Sequence, residues 1–151
     1  MRIARSYDYK LINTLLNTPE LFETIAEDCD IKCGEFETLE SDEVLYLVVE
    51  TDEGAIGLFV VHPDSGASYE IHANILKRFR HEYSKAACDA VLKWIWNHTH
   101  IYKLNCNIPT IYQNVINRAK ESGFTEEGVR THSYLKNGEA LDIMFLGIKR
   151  P

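Results

Sequence analysis

The chain has 151 residues, 45% hydrophobic and 26% charged, the balance of a globular domain rather than of a disordered, collagen-like or coiled-coil chain. A chain of this length buries roughly 70% of the surface its unfolded form exposes, so a core needs neither disulfides nor a structural metal, and one domain over 1–151 is expected. The net charge of −7 argues against non-specific nucleic-acid binding; with no apolar run of about 18 residues and no leader-like start, no membrane contact and a cytoplasmic location are expected.

The charge is unevenly spread. Residues 1–76 carry 4 Lys/Arg against 16 Asp/Glu, whereas 77–151 carry 12 against 7. The basic part opens with Lys77, Arg78 and Arg80, a seat for a small polyanion, although acidic loops and a solvated basic helix face account for the same imbalance.

In chain order, Leu11, Ile12, Leu15 and Leu16 recur at helical spacing, and Thr18-Pro19-Glu20 supplies an N-cap with proline at the first helical position. Leu21, Phe22, Ile25 and Ala26 continue that second helix until Glu27-Asp28. Residues 44–49 are rich in β-branched and aromatic side chains, and Asp52-Glu53-Gly54 turns them into a second strand over 56–61. His62-Pro63-Asp64-Ser65-Gly66 is expected to turn into a third strand over 69–76, where alternation puts Glu70, His72 and Asn74 on one face.

From Tyr83 the period becomes helical, with Ala86, Ala87, Ala90, Val91, Trp94 and Ile95 on the expected inner face. A strand over 101–108 follows, then a helix opened by Pro109-Thr110, carrying Ile111, Val115, Ile116 and Ala119 inward and capped by Gly123. Strands over 124–136 and 139–148 flank Asn137-Gly138, the strongest short hairpin signal. The order α-α-β-β-β-α-β-α-β-β predicts an α/β (α+β) layer fold with a central, mostly antiparallel mixed sheet flanked by helices.

Cys29 and Cys33 are separated by three residues without a second ligand pair at metal-finger spacing, and His98 and His100 do not share a helical face. No metal site is expected. Cys88 and Cys106 lie in apolar surroundings and read as reduced core thiols.

The stretch Glu121-Ser122-Gly123-Phe124-Thr125-Glu126-Glu127-Gly128-Val129-Arg130, with Tyr134 and Asn137-Gly138-Glu139 after it, resembles the end of a ribosomal-protein-type N-acetyltransferase. Residues 69–148 match the element order of the GNAT superfamily of acyl-CoA-dependent N-acetyltransferases, and residues 1–68 match in element order alone. The resemblance implies a GNAT-like fold, acetyl-CoA as cofactor and acetyl transfer to an amine. It also implies a pyrophosphate seat at the start of the long helix, formed by Arg78, Arg80, Tyr83, Ser84 and Lys85, with Asn114 as a further contact. Family members carry two glycines there so that backbone N–H groups approach the phosphates; Arg80-His81-Glu82-Tyr83-Ser84-Lys85-Ala86 contains none.

Transfer needs a base and an acid. Glu70 and His72 share a strand face and suit the base, although polar residues on a solvated face look the same. Many members place an acidic tyrosine four residues before Gly-Phe, where this chain has Ala119; Tyr112 is the remaining candidate acid, with core packing as the alternative.

Ile71-His72, then Leu92-Lys93-Trp94-Ile95-Trp96-Asn97-His98-Thr99 and Asn107-Ile108-Pro109, resemble the GNAT-like proteins of tailed bacteriophages. This second resemblance implies a phage-encoded head-assembly or internal virion protein in the host cytoplasm, working through a protein partner from virion or host with catalysis lost. Trp96 falls off the helical stripe and is expected to be exposed for such a contact. Acetyl transfer with a degenerate pyrophosphate loop, CoA-dependent regulation without turnover, and protein–protein assembly are the three functions the sequence leaves open.

Overall fold

Residues 1–28 and 31–151 are described by a computed structural model; Cys29 lies outside them. The elements are β1 (Arg2–Arg5), α1 (Tyr9–Leu16), α2 (Pro19–Ile25), β2 (Leu45–Thr51), β3 (Gly54–Pro63) and β4 (Ser68–Ile75). A single 3₁₀ turn (Lys77–Phe79) then leads to α3 (Arg80–His98), β5 (Lys103–Pro109), α4 (Gln113–Glu121), β6 (Thr125–Lys136) and β7 (Glu139–Lys149).

Local chemistry starts and stops these elements. The Asp8 carboxylate accepts the Leu11 N–H at 3.0 Å and caps α1. At the end of α4, Gly123 turns with φ +99° while the Phe124 N–H returns to the Ala119 carbonyl, a conformation that favours glycine. Asn137 and Gly138 both take positive φ, the turn whose twist matches the strands it joins.

The sheet has seven strands in the order β1-β2-β3-β4-β5-β7-β6. Every neighbouring pair is antiparallel except β4 and β5, which are joined by the α3 crossover that parallel strands require. Alternation along the strands divides the apolar side chains between two faces. Leu47, Phe59, Val61, Ile71, Ile75, Leu104, Cys106 and Leu146 pack with Ala87, Val91 and Ile95 of α3 and Ile116 of α4. On the other face Tyr46, Val48 and Leu58 meet Ile12, Leu15 and Leu16 of α1. The mixed sheet flanked by helices agrees with the sequence expectation.

Several details differ from it. β1 was not expected; four residues carry no usable periodicity, and their strand character comes from pairing with β2, from Arg2 opposite Glu50 to Arg5 opposite Leu47. His62 belongs to β3 rather than to a turn, opposite Glu70. Pro109 ends β5 opposite Ile143, and the Thr110 N–H donates to the Asp142 carbonyl, so β7 captures the segment expected to open α4. The late start of α4 leaves Ile111 and Val115 half exposed instead of inward. Ala86 is exposed and Leu92 buried, so the inner stripe of α3 is rotated from the expected one. Trp96 is half-buried against the core, with the Arg150 guanidinium 5.2 Å over its ring, rather than fully exposed. No helix among the described residues is long and apolar enough to cross a membrane.

Candidate active site

β4 and β5 pair over only three positions, Ser68 with Lys103, Tyr69 with Leu104 and Glu70 with Asn105. Beyond them no ladder joins the two strands among the described residues, so the sheet opens into a V between 71–75 and 106–109. α3 begins just past the far end of β4. A cleft of about 500 Å³ lies over the closed end of the V, lined by Asp64, Glu70, Asn105, Asn107, Arg130 and Phe145 among others.

Glu70 projects into this cleft. Burial is the main cause that lifts its carboxyl above the ordinary range, opposed by His62 and by a hydrogen bond from Asn107 and reinforced by Asp64. Its side chain is 18% exposed. Asn105, directly opposite, donates from Nδ2 to Asp64 at 2.8 Å, while its Oδ1 is buried with no hydrogen-bond partner among the described residues. A buried unpaired acceptor is costly; the Asn105 residue as a whole lines the same cleft as Glu70.

His72 lies on the Glu70 face, its Nε2 3.5 Å from a Glu70 oxygen and 3.0 Å from His62 Nε2. Desolvation, then the His62 charge, hold it below the usual imidazole range. Some 41% of its side chain stays open to water, which moderates that depression.

The opposite wall is built by Lys103 and Glu127, paired at 2.7 Å. Gly147 makes room for them, since a Cβ there would come within 2.5 Å of the Glu127 carboxylate. Arg130 lies over the Phe145 ring at 4.8 Å.

The residues expected to seat a pyrophosphate do gather at the start of α3. Arg80 Nε donates to the Ile75 carbonyl at 2.7 Å, tying the helix start to the end of β4. The exposed Arg78 guanidinium sits 4.6 Å over the Phe79 ring, and the Tyr83 ring meets that ring edge-on at 6.1 Å. Tyr83 also hydrogen-bonds Glu82, whose carboxylate raises the phenol. Ser84 is half-buried, and Lys85 pairs with Asp89 one turn along.

Tyr112 stands at the N-terminus of α4, apart from this group. Its hydroxyl is hydrogen-bonded to Tyr134, and burial and then Glu23 raise its pKa; it thus faces α2 and β6. Asn114 is exposed on the first turn of α4.

Neither described interior thiol is reactive. Burial pushes Cys88 up to about 11 and Cys106 up to about 12, so both stay protonated near neutrality. Cys33 is exposed, its Sγ 3.1 Å from the Asn17 carbonyl.

Sequence reasoning missed His62, Asp64, Asn105, Asn107 and Arg130. For His62 a signal existed: closing the 62–68 turn one residue later places it opposite Glu70. Asn105 and Asn107 alternate with Leu104, Cys106 and Ile108, which marks them as the polar face of β5. Nothing local connects that face to Glu70, because the parallel pairing spans the whole of α3.

No protein-family model and no curated protein sequence matches the chain. Solved structures do match in shape. The spermidine N-acetyltransferase of Vibrio cholerae, solved in complex with CoA and spermine, superposes with a TM-score of 0.83 at 18% identity, covering 99% of this chain and 95% of that one. The ribosomal-protein-alanine N-acetyltransferase of Brucella melitensis gives 0.77 at 15% identity, covering 99% of both chains. Sheet order, the parallel pair that opens into a V, and these full-length superpositions show that the chain has the GNAT N-acetyltransferase fold.

Proposed function

We propose that the protein transfers an acetyl group from acetyl-CoA to an amine bound in the Glu70 cleft. The observation that carries this is the V between β4 and β5, with a carboxylate at its closed end and the basic start of a 19-residue helix at its open end. The residues present fit the cofactor in two respects. Free strand edges suit an extended diamide such as the pantetheine arm, and Lys77, Arg78, Arg80 and the α3 dipole suit a pyrophosphate. Tyr83 and Lys85 stand where the resembled family keeps its two glycines, so contact with the phosphates falls more to guanidinium groups than to backbone N–H groups.

Acetyl-CoA, when bound, supplies the activated acetyl group. Glu70 takes a proton from the ammonium form of the acceptor, and its raised affinity for protons suits it to that task. Asn107, which hydrogen-bonds Glu70, holds that carboxylate in place, while Asp64 adds negative charge that favours a cationic acceptor. The neighbouring folds act on spermidine and on a ribosomal-protein alanine according to their names, so polyamines and protein N-terminal amines are the first acceptors to test.

A second reading is favoured by the glycine-free helix start and by Ala119 at the expected tyrosine position. In it the chain is a phage-encoded virion or head-assembly protein that keeps the fold for a protein partner, as the resemblance of residues 71–72, 92–99 and 107–109 implies. Calorimetric titration with acetyl-CoA separates the two. Micromolar binding, lost in Arg80→Ala, followed by CoA release with spermidine or an N-terminal peptide, is expected for acetyl transfer. Absence of binding at millimolar ligand overturns it and favours assembly.

A further inference from the structure

We propose that His62, Glu70 and His72 form a binding site for a divalent transition-metal cation of the zinc class. His62 and Glu70 oppose each other across β3 and β4, and His72 follows Glu70 by two residues on the same face. Strand pairing therefore brings three ligating side chains, from positions 62, 70 and 72, to one spot.

The spacing suits a cation. The two Nε2 atoms are 3.0 Å apart, the nearest Glu70 oxygen is 3.5 Å from His72 Nε2, and the three ligating atoms lie within 4.8 Å of one another. A tetrahedral zinc with bonds of about 2.0–2.1 Å sets its ligand atoms roughly 3.3 Å apart, between the two measured separations. Two imidazoles and one carboxylate favour zinc or a similar transition metal over magnesium or calcium, which take all-oxygen shells.

The outer contacts agree. His62 Nδ1 lies 3.2 Å from the Pro63 carbonyl, a contact that keeps its proton on Nδ1 and its lone pair on Nε2, as in histidine ligands generally. The two rings are nearly parallel, 17° apart, with centroids 5.2 Å apart, so their Nε2 atoms meet edge to edge. Without a cation, His72 Nε2–H donates to His62; with one, the His72 proton moves to Nδ1 and both rings pivot toward Glu70. Three protein ligands and a half-exposed setting leave a coordination position for water.

Such a cation claims the Glu70 carboxylate that acetyl transfer uses as base, but the site itself does not depend on that activity. The test is a calorimetric titration of the full chain with zinc chloride, with neither acetyl-CoA nor amine present. One-to-one binding is expected, with His62→Asn and His72→Asn each weakening it more than about tenfold and His100→Asn leaving it unchanged. Zinc is also expected to raise the Tm of the wild-type chain and not that of His62→Asn, provided circular dichroism shows both folded. Wild-type affinity in both histidine variants, loss of binding in Cys33→Ser instead, or no heat and no Tm shift in the wild type would each overturn the site.

Discussion

Asp28 accepts the backbone N–H of Gly138 at 2.6 Å with one carboxylate oxygen and that of Asn137 at 2.8 Å with the other. The residue just past α2 thereby holds the tip of the β6–β7 hairpin. Lys136 completes the junction by donating to the Glu23 and Ala26 carbonyls at the end of α2.

These two hydrogen bonds, Gly138 first, lower the Asp28 pKa from its ordinary 3.8. A carboxyl lowered in the folded state stabilises the fold above its unfolded value, and that stability is lost as pH falls through the lowered one. Asp28→Asn is expected to reduce Tm at neutral pH and to flatten the stability decline below about pH 4, measured by thermal melts across pH. An unchanged acid limb would show that the hairpin is held by other contacts.

Arg150 binds the far side of the sheet to α3. It donates to the Trp96, Thr99 and Ile101 carbonyls at 2.6–2.8 Å, two of them at the helix C-terminus, where a cation is favoured. Arg150→Ala is expected to cost about 2 kcal/mol, read as a shift in the urea midpoint, and Arg150→Lys, a single point donor, should recover only part of it.

Gly57 pairs with Ile75 at the end of the β3–β4 ladder. A Cβ there would lie 2.2 Å from the Asn74 carbonyl oxygen and 2.8 Å from the Ile75 Cα, both backbone atoms that cannot swing away. Gly57→Ala is expected to destabilise by about 3 kcal/mol or more and to lower soluble yield, whereas Gly66→Ala, in open space, should be nearly neutral in the same chemical denaturation series.

For acetyl transfer, Glu70→Gln is expected to lower kcat by about 10²–10⁴ with acetyl-CoA affinity unchanged, because Glu70 lies at the closed end of the V and the basic residues at the other. Steady-state rates with the best acceptor, set beside a direct acetyl-CoA titration, provide the check. A matched loss of affinity would mean that Glu70 shapes the cofactor site instead of moving a proton.

Much of the fold could be read from local pattern. The apolar 44–49 and 56–61 runs, the Asn137-Gly138 turn and Gly123-Phe124 all correspond to what the structure builds. Glu70 and His72 were also legible as neighbours on one strand face. The composition of the cleft was not, because Asn105 reaches Glu70 only when β5 docks in parallel beside β4, and Arg130 arrives from a hairpin that β7 places on the far side of β5. The hydrogen bond between Tyr112 and Tyr134 was not legible either, because it joins the start of α4 to β6.

Apart from β1 and the ends of β3, β5 and α4, sequence alone determined which segments are helix or strand and which side chains share a strand face, because 3.6- and 2-residue periods are local properties of the backbone. Only the tertiary structure decided that β1 exists, that Asn105 stands beside Glu70, and that β4 and β5 separate after three paired residues. Hairpin register follows from local turns, but the β1–β2 and β4–β5 pairings join distant segments, and no local pattern in either partner encodes them.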